Sequence, residues 1–163
     1  MRDGCSVRTI LFVCLGNICR SPALEATLRH LAVSKNRADE FKIDSCGISW
    51  MHVGEHPDPR TFEAASKRGI LIDHRAQQFR VGFFDQFQNI FVSDREIFEQ
   101  VKYHARSEAD KNKVFMATAF SQRFKDQDIP DPYYLSHSGF EQVMDIIVDS
   151  CEGILNHFQT ELQ

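Results

Sequence analysis

The fold is decided by residues 9–22, which read TILFVCLGNICRSP. Residues 9–13 are a short apolar run, partly β-branched, of the kind that forms a strand buried on both faces. Ser21 and Pro22 then predict the start of a helix, because a serine hydroxyl can cap a helix and proline suits its first position. The segment therefore predicts a strand, a short loop and a helix.

The rest of the chain continues this alternation of strands and helices. Further strands are predicted from short apolar runs, at residues 41–45, 89–92 and 114–117. Later helices are predicted to begin at capping residues, at Asp58 and at about Asp94. The helix from Asp58 should stop at Gly69, and apolar residues three or four apart predict a long last helix around 140–158. This order predicts a parallel sheet covered on both faces, with ligands beyond the carboxyl ends of its strands.

Length, charge and apolar content argue against several classes of function. The chain has 163 residues, 42% of them hydrophobic, which suits one globular domain. A net charge of −4 with scattered basic residues gives no expectation of nucleic-acid binding. The apolar run at 10–13 is too short for a signal peptide or a membrane span, so we expect no membrane association.

The five cysteines indicate the compartment. An odd number of cysteines without a secretory signal predicts free thiols in a reducing, cytoplasmic environment. The chain has no Cys-x-x-Cys pair, and its histidines do not have the usual spacing of zinc ligands. We therefore expect neither a metal ion nor a cofactor.

The loop between the first strand and the first helix carries the chemistry. Five residues separate Cys14 from Arg20, and the loop can curl so that successive backbone N–H groups face one point. A tetrahedral oxyanion would fit there, bound by residues 15–20, namely Leu15, Gly16, Asn17, Ile18, Cys19 and Arg20. Arg20 would hold two phosphate oxygens with its planar guanidinium, and Asn17 would maintain the shape of the loop.

The groups that would bind the oxyanion also predict a nucleophile, because they create a positive electrostatic field at Cys14. Backbone N–H groups, a helix N-terminus and a guanidinium would favour the thiolate form of Cys14. Ser21 could donate a hydrogen bond to this sulfur. Each residue alone has a simpler explanation, since a lone cysteine is usually a core residue and Gly-Asn is usually a turn. Their conjunction at one strand-to-helix turn favours the functional interpretation.

The chain resembles the low-molecular-weight protein tyrosine phosphatases. Residues 11–22 are similar to that family's signature almost letter for letter, and shorter matches follow in the same order, at residues 43–45, 53–54, 57–60, 74–76 and 131–134. The resemblance implies one phosphatase domain over residues 1–163. It also implies a three-layer α/β/α fold with a four-stranded parallel sheet and a phosphate-binding loop after the first strand. Catalysis would be metal-free and pass through a phosphocysteine.

The resemblance also implies the general acid. Protonation of a leaving phenolate requires a carboxylic acid, and Asp126, Asp128 and Asp131 are all candidates from the residues alone. The family pattern selects Asp131, and it implies that His74 and Asp44 brace the phosphate loop.

For the pocket walls the residues leave alternatives open. Tyr133 and Tyr134 would line the entrance or pack against the last helix. The family commonly has an aromatic residue at the place of Met51, and here Trp50 comes one position earlier. Either Trp50 or Met51 is therefore expected to form the wall. If the loop brings the sulfurs of Cys14 and Cys19 close together, an oxidant could join them, which is a hypothesis.

The expected substrate is a phosphotyrosine-containing protein, and the expected assembly is a monomer or weak homodimer. Three alternatives stay open: an arsenate reductase of the same fold, a protein arginine phosphatase, and a non-catalytic phosphate-binding module. A reductase would need two further cysteines close by in sequence, and Cys46 and Cys151 stand apart. Relatives that act on phosphoarginine carry threonine at the place of Ile18.

Overall fold

A parallel sheet of four strands forms the centre of the protein, in the order β2-β1-β3-β4. The strands are β1 (Arg8–Cys14), β2 (Phe41–Gly47), β3 (Asn89–Val92) and β4 (Val114–Met116). The computed structural model describes residues 7–161, apart from the side chains of Tyr134, His137, Thr160 and Glu161. Cys5 and the two last residues lie outside the described part. All four strands start within one residue of their predicted positions.

Six helices accompany the sheet in the described residues. They are α1 (Arg20–Ser34), α2 (Pro59–Ser66), α3 (Phe83–Gln86), α4 (Arg95–Tyr103), α5 (Glu108–Lys111) and α6 (His137–Glu161). Two 3₁₀ turns, Ala38–Glu40 and Pro132–Tyr134, precede β2 and α6. Since α3 and α5 have only four residues each, they are too short to produce the periodic apolar pattern that predicts a helix.

The core has two halves, one on each face of the sheet. Ile10 and Phe12 point towards α1 and α6, and they belong to the larger apolar cluster. Leu11 and Val13 point the other way, into a cluster that includes residues of α3 and α4. All four side chains are fully buried, because alternate residues of a strand face opposite sides of a sheet. The expected three-layer α/β/α fold is confirmed.

The predicted start of α1 needs a correction. The helix begins at Arg20, with Cys19 at the N-cap position and no side-chain cap. Ser21 is therefore inside the first turn and is not the cap. Its hydroxyl lies 2.9 Å from the sulfur of Cys14, so it is used within the loop that precedes the helix. The first residues of α1, Arg20 to Ala23, are all buried.

The predicted start of α2 agrees with the structure. Asp58 is the N-cap, and its carboxylate accepts a hydrogen bond from the backbone N–H of Arg60 at 2.9 Å. The helix ends at Ser66, and Gly69 adopts a φ of 75° shortly after it. This left-handed conformation favours glycine and explains the stop signal in the sequence.

The loop after β1 lies at the centre of one edge of the sheet. Because β1 pairs with β2 on one side and β3 on the other, the carboxyl ends of three neighbouring strands meet there. This is the switch point at which ligands bind in open α/β sheets. None of the helices within residues 7–161 has both the length and the apolar character needed to span a membrane.

Candidate active site

Two carbonyl groups of the loop formed by residues 15–19 bond to other loops of the protein. The oxygens of Leu15 and Ile18 accept hydrogen bonds from Ser49 N at 2.8 Å and Asp58 N at 2.8 Å. The backbone N–H groups of residues 15, 16 and 18–20 donate to no other group in the described part of the chain. These residues line a single cavity, so their N–H groups are available to a bound oxyanion.

Two residues allow this tight curl. Asn17 adopts a φ of 58°, a left-handed conformation that asparagine tolerates better than most residues. Gly47, at the end of β2, approaches the loop so closely that a Cβ there would lie 2.8 Å from the carbonyl oxygen of Leu15. A side chain at position 47 would therefore displace the loop.

The sulfur of Cys14 lies on the floor of the cavity and is almost fully buried. The backbone N–H of Asn17 donates to it at 3.3 Å, and the Ser21 hydroxyl lies 2.9 Å away. Ser21 has one proton, which can point to this sulfur or to the carbonyl oxygen of Cys46 at 3.2 Å. A thiolate can only accept, so ionised Cys14 directs the proton to the sulfur.

Arg20 is held rigidly beside Cys14. Its Nη1 atom donates to the carboxylate of Asp94 at 2.6 Å and to the carbonyl oxygen of Ile129 at 2.9 Å. Burial alone would lower the pKa of this guanidinium, but the charges of Cys14, Asp131 and Asp94 outweigh burial and raise it. Arg20 is therefore a permanent cation with a fixed orientation.

Asp131 is the aspartate that shares the cavity with Cys14. Its Oδ1 atom accepts a hydrogen bond from Tyr133 N at 3.0 Å, and its Oδ2 atom lies 3.5 Å from Nη2 of Arg20. The other two candidates for the general acid are not among the residues that line this cavity. Asp128 instead accepts a hydrogen bond from the N–H of Arg95 at 2.9 Å and lines a neighbouring cavity.

The cavity has a volume of about 190 Å³. Its lining combines the loop with two further segments, as follows: Cys14, Leu15, Gly16, Ile18, Cys19, Arg20, Ser49, Met51, His52, Asp131 and Tyr133. Of the two alternative wall residues Met51 is part of the lining and Trp50 is not, although both are largely exposed, at 69% and 71%. The side chain of Tyr134 lies outside the described residues, and its place at the entrance stays a prediction.

His52 and Ser49 line the cavity without having been predicted. The Nδ1 atom of His52 lies 2.6 Å from the carboxylate of Glu55, and its ring centroid is 6.2 Å from that of Tyr133. Both residues lie in a loop rich in Gly and Pro, where no periodic pattern indicates which side chains face inwards. The sequence therefore held no signal for them.

The side chain of Asn17 is the centre of the bracing network. Its Nδ2 atom donates to the hydroxyls of Ser21 at 2.7 Å and Ser45 at 3.0 Å. Its Oδ1 atom accepts from Gln77 N at 2.9 Å and pairs with Nε2 of His74 at 2.7 Å. Because Oδ1 can only accept, Nε2 of His74 carries a proton. The loop is thus fixed by four bonds from one side chain.

Glu25 was missed by the sequence analysis and lies behind His74. Its Oε1 atom is 3.3 Å from Nδ1 of His74 and accepts a hydrogen bond from the Ser45 hydroxyl at 2.8 Å. Burial raises the pKa of Glu25, while His74 and Arg29 oppose this rise. Contacts with Glu25 and Ser45 therefore fix the position of the His74 ring.

The bracing role of Asp44 stays a prediction. Its carboxylate accepts a hydrogen bond from the N–H of Ser45 at 2.8 Å, and Nδ2 of Asn17 donates to the hydroxyl of Ser45 at 3.0 Å. Asp44 lies near Glu25 and His74, with their ligand-type atoms within 4.8 Å of one another.

Asp94 was also missed as a site residue, although the sequence contained a signal for it. It follows β3, the strand next to β1, and caps α4 by accepting a hydrogen bond from Ile97 N at 2.9 Å. The carboxyl ends of parallel strands meet at one edge of a sheet, and β3 pairs with β1, so Asp94 lies beside the phosphate loop. A polar residue there was therefore a candidate partner for Arg20.

Cys19 lines the same cavity as Cys14. Burial raises the pKa of its thiol to about 12, with a smaller contribution from the charge of Asp58. Cys19 is therefore a neutral thiol at physiological pH. The described cysteines, which include Cys46 and Cys151, are all free and buried.

The Cys14–Cys19 crosslink stays a prediction, and the raised pKa of Cys19 gives it a pH dependence. After peroxide has oxidised Cys14 to a sulfenic acid, the thiolate of Cys19 must attack that sulfur. We expect the rate of crosslinking to rise about tenfold per pH unit between about pH 7 and about pH 9. Peptide mapping after timed quenching measures this rate. A rate that does not change with pH, or no crosslink at any pH, contradicts the hypothesis.

Comparisons with known proteins agree on one family. The family model for low molecular weight phosphotyrosine protein phosphatase matches residues 9–163. The low molecular weight protein-tyrosine-phosphatase YfkJ of Bacillus subtilis is 36% identical over 95% of this chain and 98% of its own length. A crystal structure of a protein tyrosine phosphatase from Entamoeba histolytica has a TM-score of 0.91 and 31% identity, covering 96% of this chain and 99% of that one.

One solved structure carries a different activity in its name. The crystal structure of a Drosophila arginine phosphatase has a TM-score of 0.84 and 31% identity to this chain, covering 91% of it and 96% of that chain. Proteins of this fold are therefore named as phosphatases for different phosphorylated residues. The fold by itself does not select between a phosphotyrosine and a phosphoarginine substrate.

Proposed function

Since this chain belongs to the low molecular weight phosphotyrosine protein phosphatase family, we propose that it hydrolyses phosphotyrosine with Cys14 as nucleophile, Arg20 as phosphate clamp and Asp131 as general acid and base. One observation carries the proposal. The sulfur of Cys14, the guanidinium of Arg20 and the carboxylate of Asp131 line the same cavity, beneath backbone N–H groups that have no other partner among residues 7–161.

The first chemical step transfers the phosphoryl group to the enzyme. Cys14 attacks phosphorus in line with the ester bond, so that an S–P bond forms as the P–O bond to the phenol breaks. Arg20 and the loop N–H groups stabilise the charge on the three other phosphate oxygens. Asp131 gives its proton to the departing phenolate oxygen, which leaves as a neutral phenol.

The second step releases phosphate. The carboxylate of Asp131 takes a proton from water, and the water oxygen attacks phosphorus as the S–P bond breaks. The sulfur leaves as a thiolate, which needs a hydrogen-bond donor. The distance of 2.9 Å between the Ser21 hydroxyl and the sulfur of Cys14 supports Ser21 in this role. The hydroxyl proton of Ser21 turns from the carbonyl oxygen of Cys46 to the sulfur.

The walls of the cavity favour an aryl group. Leu15, Ile18, Met51 and Tyr133 surround the approach to Cys14 with apolar surface. A phenol ring can pack against such walls, whereas a short serine side chain would leave them exposed to water. The isoleucine at position 18 extends the apolar wall next to the phosphate loop, which suits an uncharged ring better than a guanidinium.

The remaining thiols do not suit an arsenate reductase. Burial raises the pKa of both Cys46 and Cys151 far above the ordinary range, and both side chains are fully buried. A thiol relay requires thiolates that can reach the site. Four buried free thiols suit a reducing environment, and we therefore propose a cytoplasmic location. We also propose that the chain is one catalytic domain and acts as a monomer or weak homodimer.

A panel of substrates tests the proposal. We expect turnover of p-nitrophenyl phosphate and of a phosphotyrosine peptide. For a phosphoserine peptide and for phosphoarginine, kcat/KM should be lower by at least about a hundredfold, because neither fills the apolar walls. Arsenate should not be reduced in the presence of thioredoxin or glutaredoxin systems.

The outcomes of this panel separate the alternatives. Faster hydrolysis of phosphoarginine than of phosphotyrosine identifies an arginine phosphatase, and consumption of reductant with arsenate identifies a reductase. Binding of the phosphotyrosine peptide without any release of phosphate identifies a binding module. Each of these results rejects the proposed reaction.

A further inference from the structure

Arg60 connects two parts of the site that are distant in the sequence. Its Nη2 atom donates to the carbonyl oxygen of Tyr133 at 3.0 Å, two residues after Asp131. The same guanidinium lies over the rings of Phe140, at 4.6 Å, and Tyr133, at 5.7 Å. Arg60, which lies on α2, thus anchors the segment that contains Asp131.

Asp58 fixes the guanidinium of Arg60 from the other side. Its Oδ1 atom accepts from Nε at 3.1 Å and its Oδ2 atom accepts from Nη2 at 2.9 Å, which is a planar two-bond pair. Burial raises the pKa of Asp58, but the hydrogen bonds from Arg60 outweigh burial, and the pKa is lowered overall. Asp58 therefore stays a carboxylate at neutral pH.

Asp58 is in turn attached to the phosphate loop. Its backbone N–H donates to the carbonyl oxygen of Ile18 at 2.8 Å. A continuous path of short contacts therefore runs from Ile18 through Asp58 and Arg60 to Tyr133. It ends at Asp131, whose Oδ1 atom accepts from the N–H of Tyr133 at 3.0 Å.

The segment around Asp131 is anchored on both sides. Before Asp131, the fully buried Ile129 donates its N–H to the carbonyl oxygen of Ser93 at 2.9 Å, and its own carbonyl accepts from Arg20. After Asp131, Arg60 supplies the anchor at Tyr133. The carboxylate itself is 34% exposed and lies 3.5 Å from Arg20, so the direct contact to Arg20 is a loose one.

We propose that Arg60, oriented by Asp58, is a positioning residue that keeps the carboxyl group of Asp131 at the correct distance from the phosphate loop. This inference rests on the proposed role of Asp131 as general acid. Loss of the anchor displaces the acid relative to the ester oxygen and leaves the phosphate loop intact. The defect should then depend on how much protonation the leaving group needs.

The test is a leaving-group series with Arg60→Met. Methionine keeps much of the length and apolar contact of arginine but loses the charge and the hydrogen bonds. We expect kcat/KM to fall about ten- to a hundredfold for phenyl phosphate, whose phenolate must be protonated. For 2,4-dinitrophenyl phosphate, whose phenolate leaves without a proton, the fall should be less than about threefold. The slope of log kcat/KM against leaving-group pKa becomes steeper.

A uniform loss overturns the inference. If kcat/KM falls by the same factor for every ester, or does not fall at all, Arg60 does not position the acid. The inhibition constant for inorganic phosphate should stay within about twofold of the wild-type value, since it reports the phosphate loop. A larger change in this constant with an unchanged slope also counts against a role at Asp131.

Arg68→Met is the matched control. Arg68 follows α2 and pairs with Glu141 at 3.3 Å and Asp145 at 2.8 Å on α6, away from the cavity. It should leave the slope unchanged. If Arg60→Met does not fold, Arg60→Lys takes its place, because a single ammonium nitrogen does not reproduce the planar fork that bonds Asp58 through Nε and Nη2 and reaches the carbonyl of Tyr133. It should steepen the slope in the same direction by a smaller amount.

Asp131→Asn separates this inference from the proposed function. It should steepen the slope more than Arg60→Met does. If Asp131→Asn leaves the slope unchanged, the proposed general acid is wrong. If Asp131→Asn steepens the slope and neither Arg60 variant does, the proposed function stands and only the role of Arg60 is rejected.

Discussion

Replacement of Cys14 by serine is expected to lower kcat for p-nitrophenyl phosphate by at least about 10⁴-fold. The donors around this position, Asn17 N at 3.3 Å and the Ser21 hydroxyl at 2.9 Å, stabilise a negative charge on sulfur. A serine hydroxyl stays protonated in the same surroundings because alcohols are far weaker acids than thiols. No residue within the described cavity replaces the lost nucleophile, since Cys19 is a neutral thiol with a pKa of about 12.

The variant should keep its binding site. Serine is slightly smaller than cysteine, and the N–H groups of the loop and Arg20 are unchanged, so inorganic phosphate should still bind in isothermal titration. Cys151→Ala is a suitable control, because this cysteine is fully buried in α6 and does not line the cavity. It should cost stability and leave kcat unchanged. Turnover by Cys14→Ser above about 1% of the wild-type rate would exclude a phosphocysteine on Cys14.

Replacement of Arg20 by lysine has the second largest expected effect. The guanidinium donates through Nη1 to Asp94 at 2.6 Å and to Ile129 O at 2.9 Å, which leaves Nη2 for the phosphate. A lysine has one nitrogen, so it does not reproduce a guanidinium that bonds Asp94 through Nη1 and presents its other N–H groups to the phosphate. An arginine that stabilises a transferring phosphoryl group typically contributes 10³–10⁵-fold, so we expect kcat/KM to fall by about 10³-fold.

Stopped-flow and steady-state measurements with p-nitrophenyl phosphate check this prediction. Arg106→Lys is the matched control, since Arg106 makes two bonds to Asp85, at 3.0 and 2.7 Å, outside the cavity lining. It should leave kcat/KM within about twofold. The assigned clamp is wrong if Arg20→Lys loses less than about tenfold, or if inorganic phosphate binds it as tightly as the wild type.

The fold could be predicted because the strands are almost uniformly apolar. In β1 the four residues Ile10 to Val13 are fully buried, so both faces of the strand had to be apolar and the run was visible in the sequence. The last helix was visible for a different reason. It covers one face of the sheet, and its buried residues repeat at helical spacing.

The sequence was less informative where a residue's role depends on three-dimensional neighbours. Ser21 has the local pattern of a helix cap, but the sulfur of Cys14 and the oxygen of Cys46 compete for its proton. Asp44 and Ser45 are neighbours on one strand, and the sequence does not show that Asn17 bonds to the side chain of Ser45. Trp50 and Met51 lie in an irregular loop, where no period indicates the direction of a side chain.

The network around Asn17 has a consequence for the end of the catalytic cycle. Four bonds from its side chain hold the phosphate loop in shape, so a ligand does not have to order the loop when it binds. The preformed loop should therefore bind the phosphate group of a substrate and the free phosphate released by hydrolysis with similar affinity. We therefore expect product inhibition: the rate of hydrolysis should fall as the concentration of inorganic phosphate rises.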